Sequence, residues 1–247
     1  MYLTTFPRKS EFEKMSARLD ATGLPYMVIC PEPGYSLVGC PSIAMEQGVR
    51  SRLASCSPEE FFCSGWVDYR QASIYIPASN PQTFPEDIFG TASMMVLSPC
   101  IADETKLRLV AHISGEMSDV FPYMNTEMKG ARYNPNGPML TFMDGHRLIT
   151  IYARRIAIGK ANEIVDAWRT LEKIRCFSNE IYSRRASITP SYTMRKKHPA
   201  LEVYKRLPGT SCGQCGQKTC TAFAMTLWIG NAKPFMCKPI FEGEYPI

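Results

Sequence analysis

The amino-acid sequence predicts an α+β fold: an antiparallel sheet with helices in an N-terminal domain, then a small helical module at the C-terminus. Three features carry that expectation. Residues 139–161, "MLTFMDGHRLITIYARRIAIGKA", read as three successive strands, with "DGH" and "ARR" as the two hairpin turns. From about Asn162 the period changes. Ile164, Trp168, Leu171, Ile174 and Ile181 keep one face apolar while Arg169, Glu172, Lys173 and Arg184 stay outward, the pattern of a long amphipathic helix. Near the end, four of the ten cysteines fall within "LPGTSCGQCGQKTCTAFAMTLWIGNAKPFMC", residues 207–237.

In chain order, Ser10 to Thr22 reads as an amphipathic helix on the spacing of Phe12, Met15 and Leu19. "LPYMVIC" follows as a buried strand, "PEPGYSLVGCPS" as turns and "IAMEQGVRSRLA" as a short helix. Ser57, followed by Glu59 and Glu60, is a helix N-cap signal, and "ASIYIPA" is strand-like. "NPQTFPEDIFG" is loop by its Pro and Asn content. "LRLVAHISG" alternates as a strand, "SDVFPYMNTEM" suits a short helix capped by Ser118, and "ARYNPNGP" turns the chain into the triple-strand run. Strand, helix, three strands and helix in that order suit one antiparallel layer with helices on one face. "SITPSYTMRKKHPA" lacks periodicity and marks a boundary near residues 186–200. The expected domains are therefore 1–190 and 198–247.

With 247 residues, 45% apolar and 21% charged, the chain suits one main domain of under about 200 residues with a small appendage. The N-terminal stretch has no apolar core of a secretory signal, and no run reaches the roughly 18 apolar residues of a membrane helix. The expectation is a cytoplasmic protein without a membrane span. Thiols in that compartment stay reduced, so clustered cysteines point to metal or redox chemistry rather than a disulfide framework. The net charge of +5 is uneven. Arg184 to Arg206 holds seven basic residues against Glu202, a net +6 that leaves the rest near −1.

Cys212, Cys215, Cys220 and Cys237 give C-x2-C-x4-C-x16-C. Gly213 and Gly216 let the first three sit in a tight loop that wraps a compact inorganic core and aims backbone N–H groups at its sulfurs. Cys220 opens the apolar run "TAFAMTLWIG", a helix expected to end at Gly230, whose N-terminal dipole favours the negative charge of a thiolate-bound cluster. "NAKPF" then returns the chain to Cys237. Zinc is the rival occupant, although zinc ribbons usually offer two C-x2-C pairs. The other six, Cys30, Cys40, Cys56, Cys63, Cys100 and Cys176, read as buried small hydrophobes. A second cluster from Cys30, Cys40, Cys56 and Cys63 would lack any close ligand pair.

The Leu-Pro lead, the C-G-x-C-G turn, the x4 gap, the "AFAM" helix start and the distant fourth cysteine carry a family resemblance. This segment resembles the small four-cysteine [4Fe–4S] domain of the large subunit of corrinoid iron–sulfur proteins, and a related module in the B-type subunit of Rnf electron-transport complexes. By that resemblance Cys212, Cys215, Cys220 and Cys237 are the ligands of a [4Fe-4S] cluster. The likeness covers about a fifth of the chain, so cobalamin chemistry does not carry over. The region "VAHISGEMSDVFPYMN" and the run through "EKIR" resemble uncharacterised iron–sulfur proteins with the same tail. The implied role is electron transfer to, or assembly of, a larger oxygen-sensitive metalloenzyme of anaerobic metabolism. The alternatives are a reductase with an N-terminal active site fed by the cluster, and a non-redox interaction protein with a structural metal.

No nucleotide loop or nucleophile elbow occurs in the sequence. His112 in a strand, His146 in a hairpin and His198 in the basic run read as structural or solvated, and "YNPNGP" as a rigid turn. "RRASITPSYTMRKKH" reads first as a solvated linker and second as a docking patch for an acidic redox partner. Tyr192 is its lone aromatic, which speaks against nucleic acid.

Overall fold

The computed structural model of the chain describes residues 1–35, 37–56, 65–67, 81–195 and 199–242. Two compact units make up the chain, Met1–Arg195 and Lys196–Ile247. The first is α+β, with antiparallel sheets and helices.

One sheet has four strands in the order β2 (Met27–Ile29), β3 (Ser42–Met45), β1 (Tyr2–Thr5) and β4 (Gly65–Trp66), with antiparallel pairings throughout. Side-chain alternation along β3 divides its residues between two cores. Ile43 and Met45 join Met15 and Leu19 of α1 (Lys9–Thr22) and Val49 and Leu53 of α2 (Gln47–Cys56). Ala44 and the neighbouring Leu3 face the larger core instead.

The second sheet holds six strands in the order β5 (Ala92–Cys100), β6 (Asp103–Ile113), β10 (Arg155–Ala161), β9 (Arg147–Tyr152), β8 (Met139–Asp144) and β7 (Arg132–Asn134), again antiparallel. The expected triple-strand run is β8, β9 and β10. Gly145 turns the first hairpin at φ 60, a conformation that costs a glycine little. Leu107, Leu109, Ala111 and Ile113 alternate inward along β6, and Ile149, Ile151, Ile156 and Ile158 continue that apolar face.

The face is covered by α4 (Ile164–Ser183), where Ile164, Trp168, Leu171, Ile174 and Ile181 are buried as their spacing requires. The helix also buries Asp166, Thr170, Arg175, Ser178 and Asn179, which the amphipathic pattern does not reveal. Each long polar side chain among them has internal partners. Arg175 donates to Asp87 at 2.7 Å, to Glu172 and to the Gln82 carbonyl. Asn179 accepts the Ile88 N–H and donates to Asp87. Burial pushes the Asp87 carboxyl up, but the Gly90 N–H, Asn179 and Arg175 outweigh it and hold it below the usual carboxylate range.

Five expectations change here, one of them the turn "ARYNPNGP", whose residues Arg132–Asn134 pair with β8 as strand β7. The single layer is two sheets, because β1, β3 and β4 were not evident as strands. "LPYMVIC" contributes only the three-residue edge strand β2, with Met27 and Val28 exposed rather than buried. In "IAMEQGVRSRLA" the first residues alternate as β3, and the helix begins at Gln47. Ser118 caps nothing with its side chain. A 3-10 turn, Ser118–Val120, leads into α3 (Phe121–Glu127), and the Glu116 carboxylate accepts the Ser118 N–H. The Ser57, Glu59 and Glu60 signal and "ASIYIPA" lie outside the described residues. No described helix is long and apolar enough to cross a membrane.

The first turn of α4 is tied to the sheet through Arg147 at the start of β9. Its guanidinium meets the Asp166 carboxylate with two bonds, Nε–Oδ2 at 2.9 Å and Nη2–Oδ1 at 2.6 Å, and Asp166 also accepts the Asn162 N–H. Burial pushes the Asp166 carboxyl up, but Arg147 and the Asn162 N–H outweigh it and leave it lower than usual. Its stabilisation is then present above the unfolded carboxylate pKa of about 3.9 and is lost as pH falls through the lower folded value. Asp166→Asn is expected to cost about 1–3 kcal/mol in urea unfolding at pH 7, a difference that persists to about pH 4 and shrinks below it.

Candidate metal centre

The small unit contains three helices among its described residues: α5 (Ala200–Tyr204), α6 (Cys220–Ile229) and α7 (Lys238–Phe241). α5 packs on α6. Thr219 caps α6 by accepting the Ala222 N–H at 3.1 Å, which sets Cys220 at the first helical position. Gly230 ends the helix in the left-handed conformation expected of it, at φ 94. A 3-10 turn, Pro234–Met236, then delivers Cys237. In the preceding loop Gly213 and Gly216 have φ of 76 and 82, and a Cβ at either position would meet nothing within 4 Å. Glycine is needed there for conformation and not for space.

The four thiols differ in exposure. Cys212 is exposed and Cys215 half-buried, whereas Cys220 and Cys237 are buried at 8% and 5% exposure. Burial pushes the Cys237 thiol up, the Ile240 N–H pulls it back, and the charges of Cys215, Cys220 and Cys212 push it up again. Cys237 stands seventeen residues beyond Cys220, past α6 and the 3-10 turn that follows it. Among the described residues, no three His, Cys, Asp or Glu side chains are gathered around a single metal ion. The donor set is nonetheless chemically coherent. Four thiols in one small unit suit a cationic centre, which takes up their sulfurs and removes their protons on binding.

Backbone donors accompany the sulfurs. The Ser211 N–H reaches Cys220 Sγ at 3.4 Å, and Ser211 Oγ accepts the Cys220 N–H at the same distance. Ser211 is not marked by anything in the sequence, where a serine among glycines reads as an ordinary turn residue.

The remaining cysteines do not share one environment. Cys40 is fully buried, with burial pushing its thiol up to about 11 against the opposing hydrogen bond of Ser93. Cys176 on α4 is half-buried and also pushed up to about 11, by burial first and then by Glu172. Cys100 is half-buried and Cys30 is exposed, so the expectation of small buried hydrophobes does not extend to Cys30. The Cys56 side chain and Cys63 lie outside the described residues.

The histidines assemble no catalytic relay among the described residues. His112 on β6 meets the Thr5 hydroxyl through Nδ1 at 3.3 Å, while burial and then Arg155 lower its pKa. Of its sequence neighbours, Ser114 accepts the Thr91 N–H, and Glu116 takes the Ser118 N–H and pairs with Arg154. His146 is exposed in its hairpin, and His198 lies outside the described residues. Tyr133 packs edge-on against Phe121 from within β7, and Asn134 ends that strand by accepting the Asn136 N–H, so only the "PNGP" part of "YNPNGP" is a turn.

Comparisons with known proteins meet the chain at this segment. Residues 207–239 match a family model described as "Putative Fe-S cluster". The cofactor class that this match supports is iron–sulfur. The segment is similar to the acetyl-CoA decarbonylase/synthase complex subunit gamma 2 of Methanosarcina thermophila, 49% identical over 49 residues, 20% of this chain and 10% of that protein. It is also similar to the corrinoid/iron-sulfur protein large subunit of Moorella thermoacetica, 54% identical over 43 residues, 17% of this chain and 10% of that protein. The corresponding gamma subunit of Archaeoglobus fulgidus is 47% identical over 47 residues, 19% of this chain and 10% of that protein. The chain thus spans about a tenth of the length of these curated relatives. No solved structure matches.

The basic stretch before the cysteines is not a solvated linker over its described part. Thr126 Oγ1 donates to the Thr189 carbonyl, the Ser191 N–H donates to Pro122, and Asn125 Nδ2 donates to the carbonyls of Ser191 and Thr193. The Arg195 guanidinium donates to the carbonyls of Met128, Ala131 and Asn125. Residues 189–195 are thereby strapped along α3, and Arg195 serves the carbonyls at its C-terminal end. Lys196 and Lys197 lie outside the described residues. Arg195→Ala is expected to lower the stability of the N-terminal unit by about 1–3 kcal/mol and to speed amide exchange across residues 189–195. A variant with wild-type exchange there would show that the strap does not depend on Arg195.

Proposed function

We propose that this chain is a [4Fe–4S] protein that works in single-electron transfer with, or in assembly of, a larger oxygen-sensitive metalloenzyme. The observation that carries the reading is the C-x2-C-x4-C-x16-C spacing of Cys212, Cys215, Cys220 and Cys237 within the segment that matches the iron–sulfur family model, with Cys220 at the capped N-terminus of α6. When bound, such a group supplies one-electron redox chemistry. The residues divide the remaining tasks. Cys212, Cys215, Cys220 and Cys237 hold the group, Ser211 offers an N–H donor to the Cys220 sulfur, and the first turn of α6 places its positive dipole end at Cys220. Four protein ligands leave no iron free for substrate, which favours relay over catalysis at the metal.

The exposure of Cys212 gives the site one open edge, the side on which a redox partner would approach. A metalloenzyme partner is supported by the company the segment keeps: similar segments belong to proteins named as subunits of the acetyl-CoA decarbonylase/synthase complex. Cytoplasmic location remains part of this reading.

Protein purified without oxygen is expected to be brown and to hold about four irons and four sulfides per chain. Stoichiometric zinc without iron after anaerobic reconstitution would overturn the redox reading in favour of a structural site. Ligand identity is tested by a pair of variants. Cys220→Ala is expected to lose the cluster, whereas Cys176→Ala, which removes a thiol bonded to Glu172 on α4, keeps the wild-type iron content. Equal iron in the two would sink the ligand assignment.

A further inference from the structure

Ser211 is one of two described non-glycine residues with positive φ, at 50. An L-residue there carries the clash between Cβ and carbonyl oxygen that glycine escapes. The neighbouring loop positions with positive φ, Gly209, Gly213 and Gly216, are all glycine. A serine in such a place persists where the surroundings hold it and use it. Its contacts show the use. The backbone N–H points at Cys220 Sγ at 3.4 Å, and its hydroxyl oxygen accepts the Cys220 N–H at 3.4 Å. The Cys220 N–H belongs to the first residue of α6, where no carbonyl within the helix is available. Thr219 already serves the Ala222 N–H, so Ser211 and Thr219 share the capping of this terminus between them.

The two bonds form a closed ring between residues 211 and 220. The hydroxyl fixes the distance between the backbones of the two residues, and that distance decides whether the Ser211 N–H reaches the sulfur. We propose that Ser211 is a positioning residue of the metal centre: its hydroxyl clasps the start of α6 and thereby holds its own N–H on the Cys220 sulfur. This rests on the cluster reading above. A hydrogen bond to a ligating sulfur stabilises the more negative, reduced state and so raises the reduction potential. The same clasp keeps Cys220 in place for ligation, so losing it speeds release of the metal.

Three proteins test this, each reconstituted anaerobically with iron and sulfide: the unaltered chain, Ser211→Gly and Ser211→Asn. Glycine keeps the N–H and accepts the left-handed φ but deletes the hydroxyl. Asparagine also tolerates that φ and restores an acceptor oxygen. The readouts are midpoint potential by anaerobic titration and the rate of iron loss to a chelator. Ser211→Gly is expected to titrate at a more negative potential and to lose iron about 10-fold faster, the lower end of what outer-shell changes cost in metal affinity. Ser211→Asn is expected to move both quantities back toward the unaltered chain. Wild-type potential and wild-type iron loss in Ser211→Gly would overturn the proposal. So would a Ser211→Asn variant no better than Ser211→Gly. Should Ser211→Gly take up no iron, Ser211→Asn decides the matter: uptake supports the clasp and failure overturns it. An unaltered chain that takes up no iron fails the cluster reading itself, a separate outcome.

Discussion

A helix buried on most of its circumference must find partners for its polar side chains inside the protein, and α4 meets that demand chiefly through Arg175. The side chain is 2% exposed and gathers Asp87, Glu172 and the Gln82 carbonyl around one guanidinium. Removing one partner of such a buried set costs about 3–5 kcal/mol, because the remaining charge is left without water or a counter-ion. The geometry explains why the loop of residues 82–90 has a defined path. Asp87 turns that loop by accepting the N–H groups of Phe89 and Gly90, and Gly115 then passes so close that a Cβ there would lie 1.9 Å from the Ile88 carbonyl oxygen. Helix, loop and the start of β5 thus depend on one cation.

The small unit is built on a different principle. Among its described residues the buried side chains are Cys220, Phe223, Ala224, Pro239 and Cys237, while Leu201, Met225, Ile229, Phe235 and Phe241 stay exposed. A core that thin, with two thiols inside it, is what a small domain has when a metal supplies part of the folding free energy. Local devices set the path of the chain between its cysteines: left-handed glycines in the loop, a threonine cap on α6, and a left-handed stop at Gly230.

Much of this was legible in the primary structure. The hairpin run β8–β9–β10 and the apolar stripe of α4 follow from periods of two and of 3.6 residues, which depend on local geometry alone. The α6 boundaries at Cys220 and Gly230 follow from a helix start and a glycine stop. The nine-residue β5 also went unanticipated, and the other missed strands are short. β1, β3 and β4 are two to four residues long, too short for alternation to stand out, and each exists because another strand pairs with it. The exposure of Met27 and Val28 likewise reflects the edge position of β2, a property of the assembled sheet.

The sequence by itself determined the α+β class, the long amphipathic helix and a four-cysteine pattern of iron–sulfur type, since spacing and residue chemistry are properties of the chain. Tertiary structure alone decided which polar groups carry weight. Arg195 looks like one more charge in a basic run, yet it serves three backbone carbonyls at and just beyond the end of α3. Ser211 looks like a turn residue, yet it meets Cys220 through both its backbone and its side chain. Hydrogen bonds join atoms brought together across many residues, and no local pattern in a sequence records where those atoms meet.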